Sequence, residues 1–176
     1  MMRLARCGVV AGLLGLVGCT TTAQAPSTAN VSAQDLNFVT AAYQLVHFDL
    51  AACSIVQKSD LTPEVKPAAD KICADAEKYE PVIRSLASRN NVRLPDALPI
   101  EFKALLVSLT YHPEPDISVE FLRDEISSHE SALAVFRDEA WNGTNPEFKA
   151  IARRTTPLLE RNLDMLRAAM PKGVAE

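Results

Sequence analysis

The sequence predicts an all-α protein built as two helical hairpins joined by a long crossover. Three observations carry that prediction. Apolar residues, rich in alanine and leucine, make up 48% of the chain while aromatics make up 6%, a mix that favours helix over strand. Four segments repeat apolar residues at steps of three and four. Each of those segments follows a recognisable helix-start signal.

The first helix opens on "SAQD", where Ser32 caps and Asp35 stands three places on, as in a capping box, and it runs to about residue 58. The second opens on "TPE", with Thr62 as cap and Pro63 in the first turn, and runs to about residue 90. A third follows "PD" at 115 and 116 and runs to about residue 141, and a fourth opens on "NPE" at 145 to 147 and continues to about residue 170. Short connections join the first helix to the second and the third to the fourth, whereas "NVRLPDALPIEFKALLVSLTYHPEP" separates the second from the third. A structureless loop of that length is uncommon, so a short helix is expected after Pro99, where "FKALLVSL" is apolar enough to lie over the flank of the bundle. Two hairpins with one long crossover describe a ferritin-like four-helix bundle.

Ahead of the bundle, Arg3 and Arg6 precede "CGVVAGLLGLVG", a run too short to span a bilayer and flanked like a secretory signal. It ends in "LVGC", which resembles the lipobox of bacterial lipoproteins and implies cleavage before Cys19 and lipidation of its thiol. Several acyl chains on one residue would hold a domain firmly, since each buried methylene contributes ~0.8 kcal/mol. Thr20 after the cysteine, in place of aspartate, resembles lipoproteins passed on to the outer membrane. The alternative is an ordinary secreted protein cut elsewhere, at "AQA". The expected organisation is a lipoprotein signal over 1–18, a flexible tether over 19–32, the bundle over 33–170 and a C-terminal tail over 171–176. The expected location is the outer membrane, lipid-anchored through Cys19, with the domain in the periplasm.

Charge and glycine usage narrow the function classes. The signal takes Arg3 and Arg6 and no acid, leaving 16 basic against 22 acidic side chains, a formal charge of −6. Nucleic acid is a poor partner for such a chain. Four of the six glycines leave with the signal, and Gly143 and Gly173 alone build neither a phosphate-cradling loop nor a nucleophile elbow.

The buried seams carry three polar interruptions. The third helix presents Val119, Leu122, Ile126, His129, Leu133, Phe136 and Ala140, with a histidine at the centre of its apolar stripe. The second presents Val65, Ala69, Ile72, Ala76, Tyr79, Ile83 and Leu86, and the fourth Phe148, Ile151, Thr155, Leu158, Asn162, Met165 and Ala169. In the first, Asp49 is flanked one turn away by Leu45, Val46, Ala52 and Cys53. A buried carboxylate costs several kcal/mol unless it is paired or bound to a cation, so Asp49, His129 and Asn162 are expected to meet in one central layer. Two readings stay open beside the bland one that the groups are scattered and partly exposed. One is a metal or small-ligand site, with Glu125, one turn from His129, as an extra oxygen donor. The other is a hydrogen-bonded polar layer in which Asp49 holds a His129 imidazolium and Asn162 completes the network. The two Glu-x-x-His motifs of di-iron bundles are absent, and "EISSH" has the wrong spacing for one.

From about Asp35 to Leu166 the chain resembles a ferritin-like bacterial family of unknown function, domain-of-unknown-function family 4142, described as predicted outer-membrane or periplasmic proteins. In that family the second helix carries Val-Lys, an alanine and an apolar residue at helical spacing, then Asp-His, and closes on Leu-Pro. This chain has Val65, Lys66, Ala69, Ile72 and Asp75 at those places and "VRLP" at 92 to 95, but Ala76 stands where the family has histidine. His129 matches the third-helix histidine, "TPLLERNL" places Asn162 at the fourth-helix histidine, and Asp49 stands where the family usually has glutamate. The resemblance implies a polar centre of reduced metal-binding capacity, with His129 as its remnant.

Cys53 and Cys73 are the cysteines left after signal removal and lipidation of Cys19, and both lie on the loop side of the Asp49 and Ala76 positions. They form either a disulfide closing a loop of about 20 residues or two buried thiols. His47 falls on the edge of the first helix and His112 in "HPEPD", so neither is expected to be a ligand. "NGT" at 142 to 144 fits a glycosylation pattern but is read as the hairpin turn, and Trp141 is read as a cover for the end of the core or, if exposed, as an anchor for a partner. The expected function is a structural or binding role in the cell envelope without an assigned reaction or cofactor. Its partners are the membrane and other envelope proteins, and the alternative is divalent-metal binding through Asp49 and His129.

Overall fold

The computed structural model describes residues 31–113 and 116–173. Five helices follow in order: α1 (Ala33–Val56), α2 (Lys66–Arg89), α3 (Ile100–Tyr111), α4 (Asp116–Asn142) and α5 (Pro146–Ala169), with no strand among the described residues. The signal sequence, Cys19, the tether up to residue 30 and the tail from residue 174 lie outside the described residues.

The start signals act through identifiable atoms. Ser32 caps α1, its Oγ accepting from the Asp35 amide at 3.1 Å while the Asp35 carboxylate accepts from the Ser32 amide at 2.8 Å. Asn145 caps α5, its Oδ1 accepting from the amides of Glu147 and Phe148 at 2.9 and 3.2 Å. The start of α2 differs from expectation. The Thr62 carbonyl already accepts from the amides of Val65 and Lys66, so 62 to 65 form a hydrogen-bonded lead-in turn, and regular helix begins at Lys66 with Pro67 in its first turn and no side-chain cap.

Contacts between distant residues set the topology. Phe38 of α1 packs on Phe136 of α4, and the Thr62 amide beyond the other end of α1 donates to Ser118 Oγ at the start of α4, so α1 and α4 run antiparallel. Arg89 and Asn90 at the end of α2 meet Glu147 at the start of α5, so α2 and α5 are antiparallel too. The long helices therefore run up, down, down, up, with the crossover between α2 and α4 carrying helix α3. α3 lies on α1 and α4, held by Phe102 against Phe48 with ring centroids 4.8 Å apart.

Phe38, Phe48, Phe121 and Phe148, with Ile72, Leu86, Leu122, Leu163 and Leu166, are fully enclosed, each contributing ~1.5 to 3 kcal/mol by burial. α1 is long and apolar enough to cross a bilayer by composition, but it carries Asp35 and Asp49 and packs against all four other helices as the central core helix. Cys53 and Cys73 are disulfide-bonded across the α1–α2 seam with a Cα separation of 5.8 Å. Of the two readings of Trp141, the cover is overturned: it is 80% exposed and covers no core. Its position faces outward on α4, one residue past the buried seam, and Phe38, Phe136 and Phe148 close that end of the bundle instead.

Candidate functional site

The sequence brings three ionisable side chains to one buried point. Asp49 from the middle of α1 and Glu125 and His129 from successive turns of α4 each offer a donor atom, and these atoms all lie within 4.8 Å of one another. Their exposures are 5%, 0% and 1%. The i, i+4 spacing on α4 stacks Glu125 over His129 on one face, and the His129 Nδ1 to Glu125 Oε2 distance is 3.4 Å. Antiparallel packing of α1 against α4 brings Asp49 to the same level.

The converging atoms are poorly satisfied by the rest of the protein. Asp49 Oδ1, both Glu125 carboxylate oxygens and His129 Nδ1 are enclosed and meet no polar group beyond one another and the Glu125 backbone. Buried polar atoms are ordinarily paired with donors and acceptors from around them, so such a cluster is unusual. Burial pushes the Asp49 carboxyl well above its ordinary range; a side-chain hydrogen bond with Glu125 opposes the rise and the Asp75 charge adds to it. Burial likewise raises Glu125, reinforced by the charge of Asp49 and by the same hydrogen bond. His129 goes the other way, pushed down to about 4 by burial, so its ring is neutral at neutral pH. The expected polar layer held Asp49 against a charged His129; burial instead favours the neutral ring and disfavours charge on both acids.

Asn162 also departs from expectation. It does not join the three; its Nδ2 donates to Asp75 Oδ2 at 3.1 Å, where α2 meets α5. A cavity of ≈60 Å³ separates the two groups, with Asp49 and His129 in its wall on the α1 and α4 side and Asp75, Ala76 and Asn162 on the α2 and α5 side. Ala76 and Asn162, the positions where the family resemblance expects histidines, thus open on the same space as His129. Asp75 was missed as a site residue because it lies one position off the apolar seam, and its adjacency to Ala76 was the available signal. His47, which stacks on Tyr43, and His112, whose Nδ1 lies 2.9 Å from the Ser108 carbonyl, are both away from the cluster.

A second carboxyl pair sits at the opposite end of α1. Asp35, fully buried, accepts from the Thr144 and Asn145 amides at 2.9 Å each and from the hydroxyls of Ser32 and Thr144, tying the start of α1 to the α4–α5 turn. Burial alone would raise its pKa, but these hydrogen bonds together hold it well below the usual carboxylate range. Glu139, also fully buried, faces it, and burial, then the Asp35 charge and a side-chain hydrogen bond to Asp35, push it up to about 7.

A family model described as "Domain of unknown function (DUF4142)" matches residues 20–169. No curated protein matches the chain. Among solved structures, a DUF305 fragment from Deinococcus radiodurans is similar with a TM-score of 0.68, covering 78% of this chain and 95% of its own, at 16% identity. That likeness supports the helical fold.

Proposed function

Because the chain belongs to the DUF4142 family, for which no function is described, we propose its function from the geometry of its own centre: a divalent-metal-binding protein of the cell envelope, with Asp49, Glu125 and His129 as the protein ligands. The observation that carries this reading is the convergence of three buried ionisable side chains whose donor atoms lie within 4.8 Å of one another and meet little else. A purely structural layer would satisfy its own hydrogen bonds, whereas a metal site leaves its donors free for the ion.

The residues fit such an ion. Donors bound at ~2.0 to 2.3 Å can lie up to ~4.6 Å apart on opposite sides of one ion, so the observed cluster closes around a cation with small side-chain rotations. One imidazole and two carboxylates suit manganese, iron or zinc, and two carboxylate charges neutralise a divalent cation where any net charge would be costly. Three protein donors leave coordination positions to solvent, and the adjoining cavity provides room for water there. The metal supplies Lewis acidity when bound; no reaction is assigned to it.

The up-down-down-up order with a single crossover supports the ferritin-like description. The lipobox-like "LVGC", Thr20 and the low-charge tether support an outer-membrane lipoprotein, anchored through Cys19 with the bundle in the periplasm. The centre is tested by calorimetric titration of Mn(II), Fe(II) and Zn(II) into the wild type and His129→Ala. One ion bound by the wild type and lost in the variant is expected. No binding by the wild type would overturn the reading and return His129 to a structural role.

A further inference from the structure

The buried centre has one flank that opens toward solvent, and the residues there are graded in exposure. Glu125 is 0% exposed, His129 and Asp49 are nearly so, and across the cavity the Asp75 side chain is 20% exposed. Asp75 is outside the cluster of three but within reach of it by charge, acting on both Asp49 and His129. Its carboxylate is fixed at the cavity edge from two sides. Asn162 Nδ2 donates to it from α5, and the Lys71 ammonium pairs with the same Oδ2 from one turn back on α2.

We infer that Asp75 is the intake carboxylate of this centre: it first takes a divalent cation from solvent and passes it across the cavity to Asp49 and His129. The inference rests on the metal-binding reading above. A carboxylate that already holds a cationic side chain on its solvent face is a site where a hydrated cation can exchange with an ammonium. Lys71 is about half exposed on a flexible stem and can swing clear. The cavity behind has room for a few waters, enough for an ion shedding its hydration shell. Ala76 in its wall keeps that space open, since any longer side chain at this position would project into it. Clefts lined by one sign of charge raise local ion concentration and association rate by ten- to a thousandfold, and Asp75 contributes to such a field once Lys71 swings clear.

The test is stopped-flow absorbance of Co(II) uptake by the disulfide-intact protein, as wild type, Asp75→Asn and Lys71→Gln. Asp75→Asn, which keeps the shape of the side chain, is expected to slow association at least tenfold and flatten its dependence on salt. The final spectrum and one-ion stoichiometry stay as in the wild type. Lys71→Gln is expected to speed association by removing the competing ammonium. Equal association rates in all three proteins would overturn the inference. So would an altered final spectrum in Asp75→Asn, which would make Asp75 a ligand of the resting ion. If the wild type takes up no Co(II), the metal reading itself fails, a result distinct from either.

Discussion

His129 Nδ1 lies 3.4 Å from Glu125 Oε2, one turn apart on α4, both atoms enclosed among apolar side chains and Asp49. Two groups so placed are poor contributors to stability and good donors to a cation. Replacing Glu125 with methionine, similar in length and apolar, removes a desolvated carboxyl without opening a void. The Glu125→Met protein is expected to be more stable than the wild type in chelator by ~1 to 3 kcal/mol, read from urea denaturation midpoints. Added Mn(II) should stabilise the wild type and leave the variant unchanged.

The Cys53–Cys73 bridge joins α1 to α2 within a turn of both Asp49 and Asp75 and closes a loop of 20 residues. Constraint of the unfolded chain by a loop of this size is worth ~3 kcal/mol. The double variant Cys53→Ala with Cys73→Ala should lose about that much stability by denaturant titration, and added dithiothreitol should shift the wild type but leave the variant where it is.

Glu139 provides a pH dependence separate from the metal centre. Its folded-state pKa of about 7 stands above the ordinary 4.5, so the folded protein binds more protons than the unfolded one between those values. Stability must then fall as pH rises through that window and level off above it. Asp35 raises Glu139, Asp138 adds to the rise and Lys149 opposes it. Glu139→Gln cannot titrate and should gain on the wild type by on the order of 1 to 3 kcal/mol between pH 5 and pH 8, measured as the difference in unfolding free energy across the range.

Gly143 ends α4 with no room for a side chain. Its amide donates to the Glu139 carbonyl at 2.9 Å, and a Cβ there would fall 2.1 Å from Glu139 Oε1 and 2.6 Å from the Glu139 carbonyl oxygen. Gly143→Ala should cost ~1 to 3 kcal/mol, and Glu139→Ala in the same chain should recover part of the loss by removing the carboxyl but not the backbone contact.

The fold was legible because helix starts and apolar seams are local properties. Ser32 with Asp35 and Asn145 cap α1 and α5 as their sequence neighbourhoods indicate, and the α2 seam from Val65 to Leu86 faces the core. Periodicity also put His129 and Asp49 inside, and the turn below His129 supplied Glu125. Pairing across helices was not legible in the same way. Asn162 was expected to meet His129, but a shift of one position on α2 gives it Asp75 as partner. Glu139 sits off the α4 seam, and its burial depends on Asp35 arriving from α1 and on the close turn at Gly143. Trp141 is exposed because the aromatic cluster around Phe38 already fills that end of the core, which spacing along one helix does not record.

The most direct test of the central claim is an anomalous difference map from crystals of the protein grown with Mn(II). A single strong peak within bonding distance of Asp49, Glu125 and His129 is the result predicted. A map with no peak at that point at saturating Mn(II), with the three side chains hydrogen-bonded to one another or to water, would contradict it.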